Sequence, residues 1–286
     1  MREILDQYEP ITLDEMGGIK LMNRTDTKFV TTKAKLLQLL RLAQVDYRVQ
    51  EIEGKRVATY YTVYFDTEQH DMYLTHHNGR LNRQKLRIRS YVDSGLSFLE
   101  VKTKNNHKRT KKKRVNVDGF DPVNPRHDIR FLRGSPELDA YGAFLEQYLK
   151  FEPETLTQQQ ENRFSRITLV NKGKTERLTI DTDLRFHNLC NGVTREMEGL
   201  VIIELKRDGL VESPVLALLR QLRIKPMGFS KYCMGVAMTN DNVKRNRFKT
   251  QIRAVCKMMD GRPAELLTKQ LTNNLKVGSI NTTVNK

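Results

Sequence analysis

The residues between Lys85 and Lys104 place long charged side chains on one face of a predicted β-hairpin. This stretch, KLRIRSYVDSGLSFLEVKTK, alternates apolar and charged residues on both sides of an Asp-Ser-Gly turn, as two paired strands do. The charged face carries Lys85, Arg87, Arg89, Glu100, Lys102 and Lys104. Because like charges repel across a ladder, this face is most easily understood with a bound anion that carries several negative charges.

The same alternation recurs in three other segments, RTDTKFV at 24–30, ERLTIDTDLRF at 176–186 and LVIIELKRD at 200–208. Their charged faces carry Arg24, Asp26, Lys28, Arg177, Asp181, Asp183, Glu204 and Lys206. A Glu-X-Lys pattern occurs at both Glu100-Lys102 and Glu204-Lys206. Carboxylates such as Glu100, Glu204 and either Asp181 or Asp183 are suitable ligands for a hard divalent ion, while arginine and lysine bind phosphate oxygens.

Leucine-rich and proline-started segments between the strands predict helices, with N-caps at Thr31 or Thr32 and at Ser230. Helices on the apolar faces would turn the charged faces toward each other. We therefore predict an α+β fold, with a closed antiparallel β tunnel and helices packed on its outside. The alternative is an open sheet whose charged face meets water. We predict the tunnel domain at 1–240, followed at 241–286 by a basic amphipathic helix and a flexible tail.

Composition limits the partners and the location. The 286 residues carry a net charge of +16, which favours nucleic acid, an acidic membrane or a phosphate-rich small molecule. The absence of Trp and the 7% aromatic content count against recognition of specific nucleic acid by base stacking. Three scattered cysteines and no apolar run of about 20 residues predict a cytoplasmic protein, or one at the periphery of the inner face of a membrane. No motif for a covalent nucleophile is present.

The ordered series RTDTKFV, YFDT, GRL, KLRIRSY, FLEVKTK, ENRF, RLTIDTDLRF, IIELK and FSKY resembles a known family. It is similar to the polyphosphate polymerase domain of the vacuolar transporter chaperone (VTC) complex and its bacterial relatives, within the CYTH-like superfamily of triphosphate tunnel metalloenzymes. The resemblance covers residues 20–240. It implies a β tunnel in which ATP, with manganese or magnesium, donates its terminal phosphoryl group to growing inorganic polyphosphate, with pyrophosphate as a short ligand of the same kind.

The resemblance also implies roles for individual residues. The phosphate-gripping catalytic set it implies is Lys28, Arg80, Arg87, Arg89, Lys102, Arg163, Arg177 and Lys231, with Arg166 as the alternative to Arg163. Glu204 is implied as the metal carboxylate and Glu100 as a second one. Lys113, on the strand after the basic loop, fits a substrate-binding lysine. Three further residues of the charged faces complete the expected substrate-binding set, namely Arg24, Lys104 and Lys206.

Two other functions fit the same pattern. With water as acceptor, the tunnel would be an inorganic triphosphatase. The triphosphatases of the superfamily carry Glu-X-Glu-X-Lys where this chain has Arg24-X-Asp26-X-Lys28, and fewer acids favour one metal and transfer. The second is a non-catalytic module that binds polyphosphate or RNA. The basic C-terminal helix is a membrane anchor, a dock for a membrane partner, or a lid packed on the tunnel wall, and its narrow apolar stripe favours packing.

Overall fold

One eleven-stranded sheet organises the computed structural model, which describes residues 1–17, 24–107, 109–121, 139–209 and 211–259. The α+β class predicted from the sequence is confirmed. The strands are β1 Pro10–Ile11, β2 Arg24–Thr32, β3 Tyr47–Gln50, β4 Ala58–Thr67, β5 Arg83–Tyr91, β6 Leu96–Lys104, β7 Thr110–Asn116, β8 Leu156–Asn171, β9 Glu176–Asn188, β10 Thr194–Met197 and β11 Leu200–Asp208. The helices are α1 Arg2–Leu5, α2 Leu13–Gly17, α3 Lys33–Ala43, α4 Asp71–His77, α5 Asp139–Tyr148, α6 Pro214–Gln221, α7 Lys231–Thr239 and α8 Lys249–Met259.

The main path of the sheet runs β2-β11-β9-β8-β4-β5-β6-β7, and every neighbouring pair in it is antiparallel. The predicted closure of the tunnel is wrong, because within the described ranges no ladder joins β2 to β7. A coil segment occupies the free edge of β2 instead: Pro226 forms a bridge with Phe29, and the Met227 amide donates to the Lys28 carbonyl at 2.9 Å. β7 carries the consecutive lysines of TKKKRVN, which disfavour strand pairing at an edge.

The convex face of the sheet is apolar and covered by helices, as predicted. Leu36 and Leu40 of α3 and Leu219 of α6 pack with Ile180 and Ile203 of the sheet. Under α5, Leu145 packs with a second set of strand residues. The predicted cap at Thr32 is confirmed, since its hydroxyl accepts from the Lys35 amide. These packed layers fix which face of each strand is left for the charged residues.

The placement of α7 differs from the prediction of helices on the outside, because α7 lies on the concave face of the sheet, together with α8. Tyr232 of α7 stacks on Tyr64 of β4, with ring centroids 5.0 Å apart, and its hydroxyl donates to Asp66. Ile252 and Val255 of α8 are buried in the same cluster. The described part of the predicted C-terminal unit therefore packs on the sheet, whereas residues 260–286 lie outside the described ranges. Among the described residues, no helix has the length and apolar character that a membrane crossing demands.

The close approach of α7 to the sheet depends on Gly235. A Cβ atom at this position would lie 1.5 Å from Nε2 of Gln160, a fully buried β8 side chain that also donates to Oδ1 of Asn162 at 3.1 Å. We expect Gly235→Ala to lower the free energy of unfolding by about 1–3 kcal/mol, measured by urea denaturation.

The matched control is Gly142→Ala in α5, where an added Cβ meets no atom within 4 Å. This control should gain up to about 1 kcal/mol, since alanine loses less backbone entropy than glycine in a helix. Equal stability of Gly235→Ala and the parent protein would contradict the described contact between α7 and β8.

Candidate functional site

The concave face borders a cavity of about 1030 Å³ whose walls come from all eight main-path strands and from α7 and α8. Among the residues that the structure describes, thirteen cationic side chains line it, against the three carboxylates Asp26, Asp181 and Glu204. The cationic residues are Lys28, Arg83, Lys85, Arg87, Arg89, Lys102, Lys104, Lys112, Arg114, Arg166, Arg177, Lys206 and Lys231. Such an excess of positive charge in an enclosed space attracts a ligand with several negative charges.

Most of the sequence-predicted site residues meet in this cavity. The structure brings together Lys28, Arg87, Arg89, Lys102, Lys104, Arg177, Glu204, Lys206 and Lys231. Their common orientation follows from strand register, since Lys28 lies opposite Glu204 and Arg177 lies opposite Lys206. Arg24 begins β2, but its side chain lies outside the described residues.

Two predicted arginines lie elsewhere. Arg163 projects from the convex face, with its guanidinium 4.7 Å from the ring centroid of Tyr61. A register irregularity between Arg163 and Ser165 shifts this part of β8 against β9, and the alternative residue, Arg166, is the one that lines the cavity. Arg80 is exposed in the loop after α4, whereas Arg83, three residues later, reaches the cavity.

Lys113 lies on the opposite face of β7 from the cavity. It is paired with Val101 of the convex core, and its ammonium lies 5.1 Å from the ring centroid of Tyr148. Its neighbours Lys112 and Arg114 line the cavity instead. A register shift of one residue moves every side chain of a strand to the opposite face of the sheet. The polar loop before β7 gives no sequence signal that fixes the register of this strand.

Sequence reasoning missed Lys85 as a site residue, although its position on the charged face of β5 was evident. The Lys85 ammonium donates to the Ser230 hydroxyl at 2.7 Å and lies 5.9 Å from the centroid of the Tyr232 ring. Ser230 is the predicted N-cap of α7, confirmed by its contact with the Cys233 amide. Lys85 therefore joins β5 to the first turn of α7 across the cavity.

Aromatic rings form part of the cavity floor and hold several of its cations. The rings of Tyr60 and Phe164 stack with centroids 5.1 Å apart. Arg166 lies 4.8 Å from the Tyr60 centroid, Arg89 lies 5.7 Å from it, and Lys231 lies 4.3 Å from that of Phe164. A π-face attracts a cation without neutralising it, so the ring contacts do not themselves cancel the positive charge of these groups.

Asp181 is buried between two of these cations. Its oxygens accept from Nε and a terminal nitrogen of Arg166 at 2.6 and 2.9 Å, and from the Lys231 ammonium. Burial opposes ionisation, but Arg166 and Lys231 hold the pKa of Asp181 well below its usual range. Burial and Arg166 lower the pKa of Lys231 to about 8, although Asp181 opposes this change. The predicted alternative, Asp183, is exposed and at a positive φ of 52°.

Glu204 and Glu100 have different surroundings, although the sequence presents them alike. Glu204 lines the cavity, with Lys206 at 2.7 Å and Lys28 at 3.8 Å. Against the effect of burial, these lysines hold the pKa of Glu204 well below its usual range. Glu100 is fully buried behind the wall and pairs with Arg87 at 2.6 Å and Lys112 at 2.8 Å. Burial would raise the pKa of Glu100, but the arginines lower it to about 2.

These contacts separate the two candidate metal ligands. Both carboxylates contact two cations, but the Glu100 side chain is fully buried and bonded to Arg87 and Lys112 within 2.8 Å. Glu204, in contrast, is 20% exposed, lines the cavity and has one close cation, Lys206. The described ranges contain no group of three or more His, Cys, Asp and Glu side chains that would hold an ion by themselves. An ion here would therefore take Glu204 together with ligand and water oxygens, as magnesium commonly does.

Comparison with known families confirms the family predicted from the sequence. The family model described as the VTC domain matches residues 23–240. HpAC1 from Hippeastrum, described as having a dominant triphosphatase activity, is 16% identical with a TM-score of 0.46, over 76% of this chain and 97% of that chain. The PH1819 protein from Pyrococcus horikoshii OT3 is 13% identical with a TM-score of 0.39, over 75% and 98%. The search of curated proteins gave no match.

Crowded cations predict strong stabilisation by a polyanion. We expect tripolyphosphate to raise the melting temperature progressively with concentration, because it binds the folded cavity and relieves repulsion there. At a concentration of about 100 times Kd the gain is about 2.7 kcal/mol, or roughly 4–5 °C for a chain of this size. Differential scanning fluorimetry measures it, with sulfate at equal ionic strength as the control. A flat titration would contradict the assignment of the cavity as an anion site.

The protonation of Lys102 predicts a pH dependence. Its side chain contacts cavity solvent, yet enclosure by the walls and the charges of Lys28 and Arg87 lower its pKa to about 7. An anion favours the protonated form, so affinity for tripolyphosphate should fall as pH rises from about 6 to about 9. Without ligand, the depressed pKa has the opposite consequence: its contribution to stability increases with pH above 7.

The variant Lys102→Arg tests this assignment, because a guanidinium stays charged throughout this pH range. Isothermal titration calorimetry at several pH values should show a flatter affinity profile for the variant than for the parent. The control is Lys104→Arg, at a position on the same strand. If both variants keep the slope of the parent, Lys102 is not the titrating group.

Proposed function

Given that the chain belongs to the VTC domain family, we propose that it is an ATP-polyphosphate phosphotransferase, a metal-dependent polyphosphate polymerase. It would transfer the terminal phosphoryl group of ATP to a growing inorganic polyphosphate chain. The observation that carries this proposal is the cavity itself, in which thirteen cations and three carboxylates surround about 1030 Å³. Two phosphate chains, a donor and an acceptor, together need more positive charge than a single small anion.

The proposed reaction needs positioning and charge more than it needs a protein nucleophile. A terminal oxygen of the acceptor chain attacks the γ-phosphorus of ATP, a new P–O–P bond forms, and the bond from that phosphorus to the β-bridging oxygen breaks to release ADP. The attacking oxygen is already an anion, so no general base is required. Catalysis would then come from holding the groups in line and stabilising charge on the equatorial oxygens.

The cavity residues fit these tasks in two groups. Arg87, Arg89 and Arg166 present guanidinium groups from β5 and β8 above the aromatic floor, and guanidinium forks bind phosphate oxygens bidentately. Lys102 and Lys231 add point charges from two other sides. We propose that the arginines align the phosphate chains and that the lysines offset the charge that builds up during transfer.

We propose Mn²⁺ or Mg²⁺ as the metal cofactor, with Glu204 as its protein ligand. Glu204 fits this role because it is ionised and faces the cavity, and Lys28 and Lys206 fix its carboxylate. A bound ion would neutralise charge on phosphate oxygens. Asp181 does not fit the role, since Arg166 and Lys231 occupy its oxygens.

The basic face of α8 is our candidate surface for a membrane partner. The apolar side of α8 is buried against the sheet, and its exposed side carries Lys249, Arg253 and Lys257. An acidic surface of a membrane protein would complement it. A partner bound to the exposed side of α8 would agree with the cytoplasmic location that the sequence predicts. It would also leave the cavity accessible to the nucleotide.

Product analysis tests the proposed reaction. We expect incubation with ATP and Mn²⁺ to yield ADP and a phosphate ladder that lengthens with time, measured by gel sizing of the polymer. Glu204→Gln, which removes the charge and keeps the volume, should lower the rate about a hundredfold or more. The matched control Glu196→Gln makes the same change at an exposed carboxylate on β10, which pairs with Arg185, and should keep the parental rate.

The alternatives give different products. Release of short phosphates without any ladder would identify a triphosphatase. Absence of turnover, with tripolyphosphate affinity retained in both the parent and Glu204→Gln, would identify a binding module. Either result would overturn the polymerase proposal.

A further inference from the structure

A second cavity of about 180 Å³ lies directly beside the main one, and we call it the side pocket. Arg83 and Gln84 line both spaces, so the two cavities adjoin at the start of β5. Its other polar lining residues are Thr75, Asn82 and Lys150. Neither the resemblance of the sequence nor the comparisons assign a role to this pocket.

Hydrogen bonds fix the wall that carries Lys150. Gln84 is buried, and its amide nitrogen donates to the Tyr148 carbonyl at 2.7 Å and to the Thr103 hydroxyl at 2.9 Å. The Lys150 backbone amide donates in turn to the Gln84 side-chain oxygen at 2.8 Å. The end of α5 is thereby joined to β5, which holds Lys150 in the wall of the side pocket.

The charge of the side pocket has one sign. Arg83 and Lys150 line it, and no carboxylate is among its described lining residues. The Lys150 ammonium donates to Oδ1 of Asn82 at a long 3.4 Å, and an ammonium has three donors. Arg83 donates through one terminal nitrogen to the Arg80 carbonyl at 2.6 Å. Because Arg83 lines both spaces, an anionic chain that passed from one to the other would meet its positive charge.

We propose that the side pocket binds phosphate units of a polyphosphate chain that extends out of the main cavity, with Lys150 as its anchoring cation. The chain would pass Arg83 on leaving the main cavity and would meet Lys150 next. This inference rests on the substrate class of the proposed function and adds a place for the part of the chain that is not reacting. It predicts that affinity depends on chain length.

The test compares tripolyphosphate, which fits the main cavity, with a long-chain polyphosphate, using calorimetric titration of the full chain. Lys150→Ala should weaken binding of the long chain about five- to tenfold, as loss of one charge-assisted contact does. It should change the affinity for tripolyphosphate less than twofold. Lys150→Arg should restore affinity for the long chain, because it restores the positive charge.

Lys172→Ala is the matched control. This exposed lysine in the turn between β8 and β9 lines neither space, and its removal lowers the net charge by the same amount. A length-dependent loss in Lys150→Ala that is absent in Lys172→Ala supports the side pocket. Equal losses for the two phosphate ligands, or equal losses in the two variants, would overturn it.

ATP serves as a third ligand, because the apolar Met72 and Phe151 also line the side pocket. A loss confined to ATP in Lys150→Ala would identify a nucleoside site and would overturn the phosphate assignment. The outcome is independent of the polymerase assay. A parent protein that binds long chains through Lys150 but forms no polymer would refute the proposed function and support the side pocket. A parent protein that forms polymer but binds long chains equally well without Lys150 would support the proposed function and refute the side pocket.

Discussion

Repulsion between cations on the concave face is the constraint on which the rest of the structure depends. The fold meets it with a repeated arrangement, in which one carboxylate lies between two cations. Asp181 bridges Arg166 and Lys231, Glu100 bridges Arg87 and Lys112, and Glu204 bridges Lys28 and Lys206, as their contacts show. Each group keeps one net positive charge. The site is therefore stable enough to fold and still attractive to a polyanion.

The positions without such a bridge show where repulsion remains. Burial, together with the charges of Lys28, Arg87 and Lys85, lowers the pKa of Lys102 to about 7. An arriving phosphate chain would reverse this change, because it supplies the missing negative charge. The repulsion therefore lowers the stability of the ligand-free protein and raises its affinity for a polyanion, as is common at functional sites. The aromatic floor limits the loss, since Tyr60 and Phe164 hold Arg89, Arg166 and Lys231 over their faces without neutralising them.

Alternation in the sequence predicted the inward faces of β5, β6, β11 and the first half of β9, because a buried convex core leaves each strand only one orientation. The prediction is wrong for the second half of β9, since after Asp183, at a positive φ, Leu184 and Phe186 pack in the cluster of α7 and α8 on the concave side. Alternation did not predict the orientation of side chains where a loop, a register irregularity or a turn interrupts the strand pattern. Lys113 follows a polar loop whose sequence does not indicate which residues of β7 face the cavity, and Arg163 precedes a register irregularity between β8 and β9. Arg80 lies in a turn, where no periodicity acts. The cap at Ser230 predicted the start of α7, but not which face of the sheet the helix would occupy.

That placement of α7 explains how an open sheet still encloses a cavity. The segment before α7 forms a backbone hydrogen bond to the edge of β2 through Met227, and the Lys28 ammonium donates a hydrogen bond to the Phe229 carbonyl at 2.9 Å. From the other side, Lys85 of β5 reaches the cap of the helix at Ser230. Side chains and a coil therefore complete the wall where a closed barrel would use a strand ladder. Because these bonds are few and involve lysines that also face the cavity, an incoming polyanion competes directly for the groups that hold the wall together.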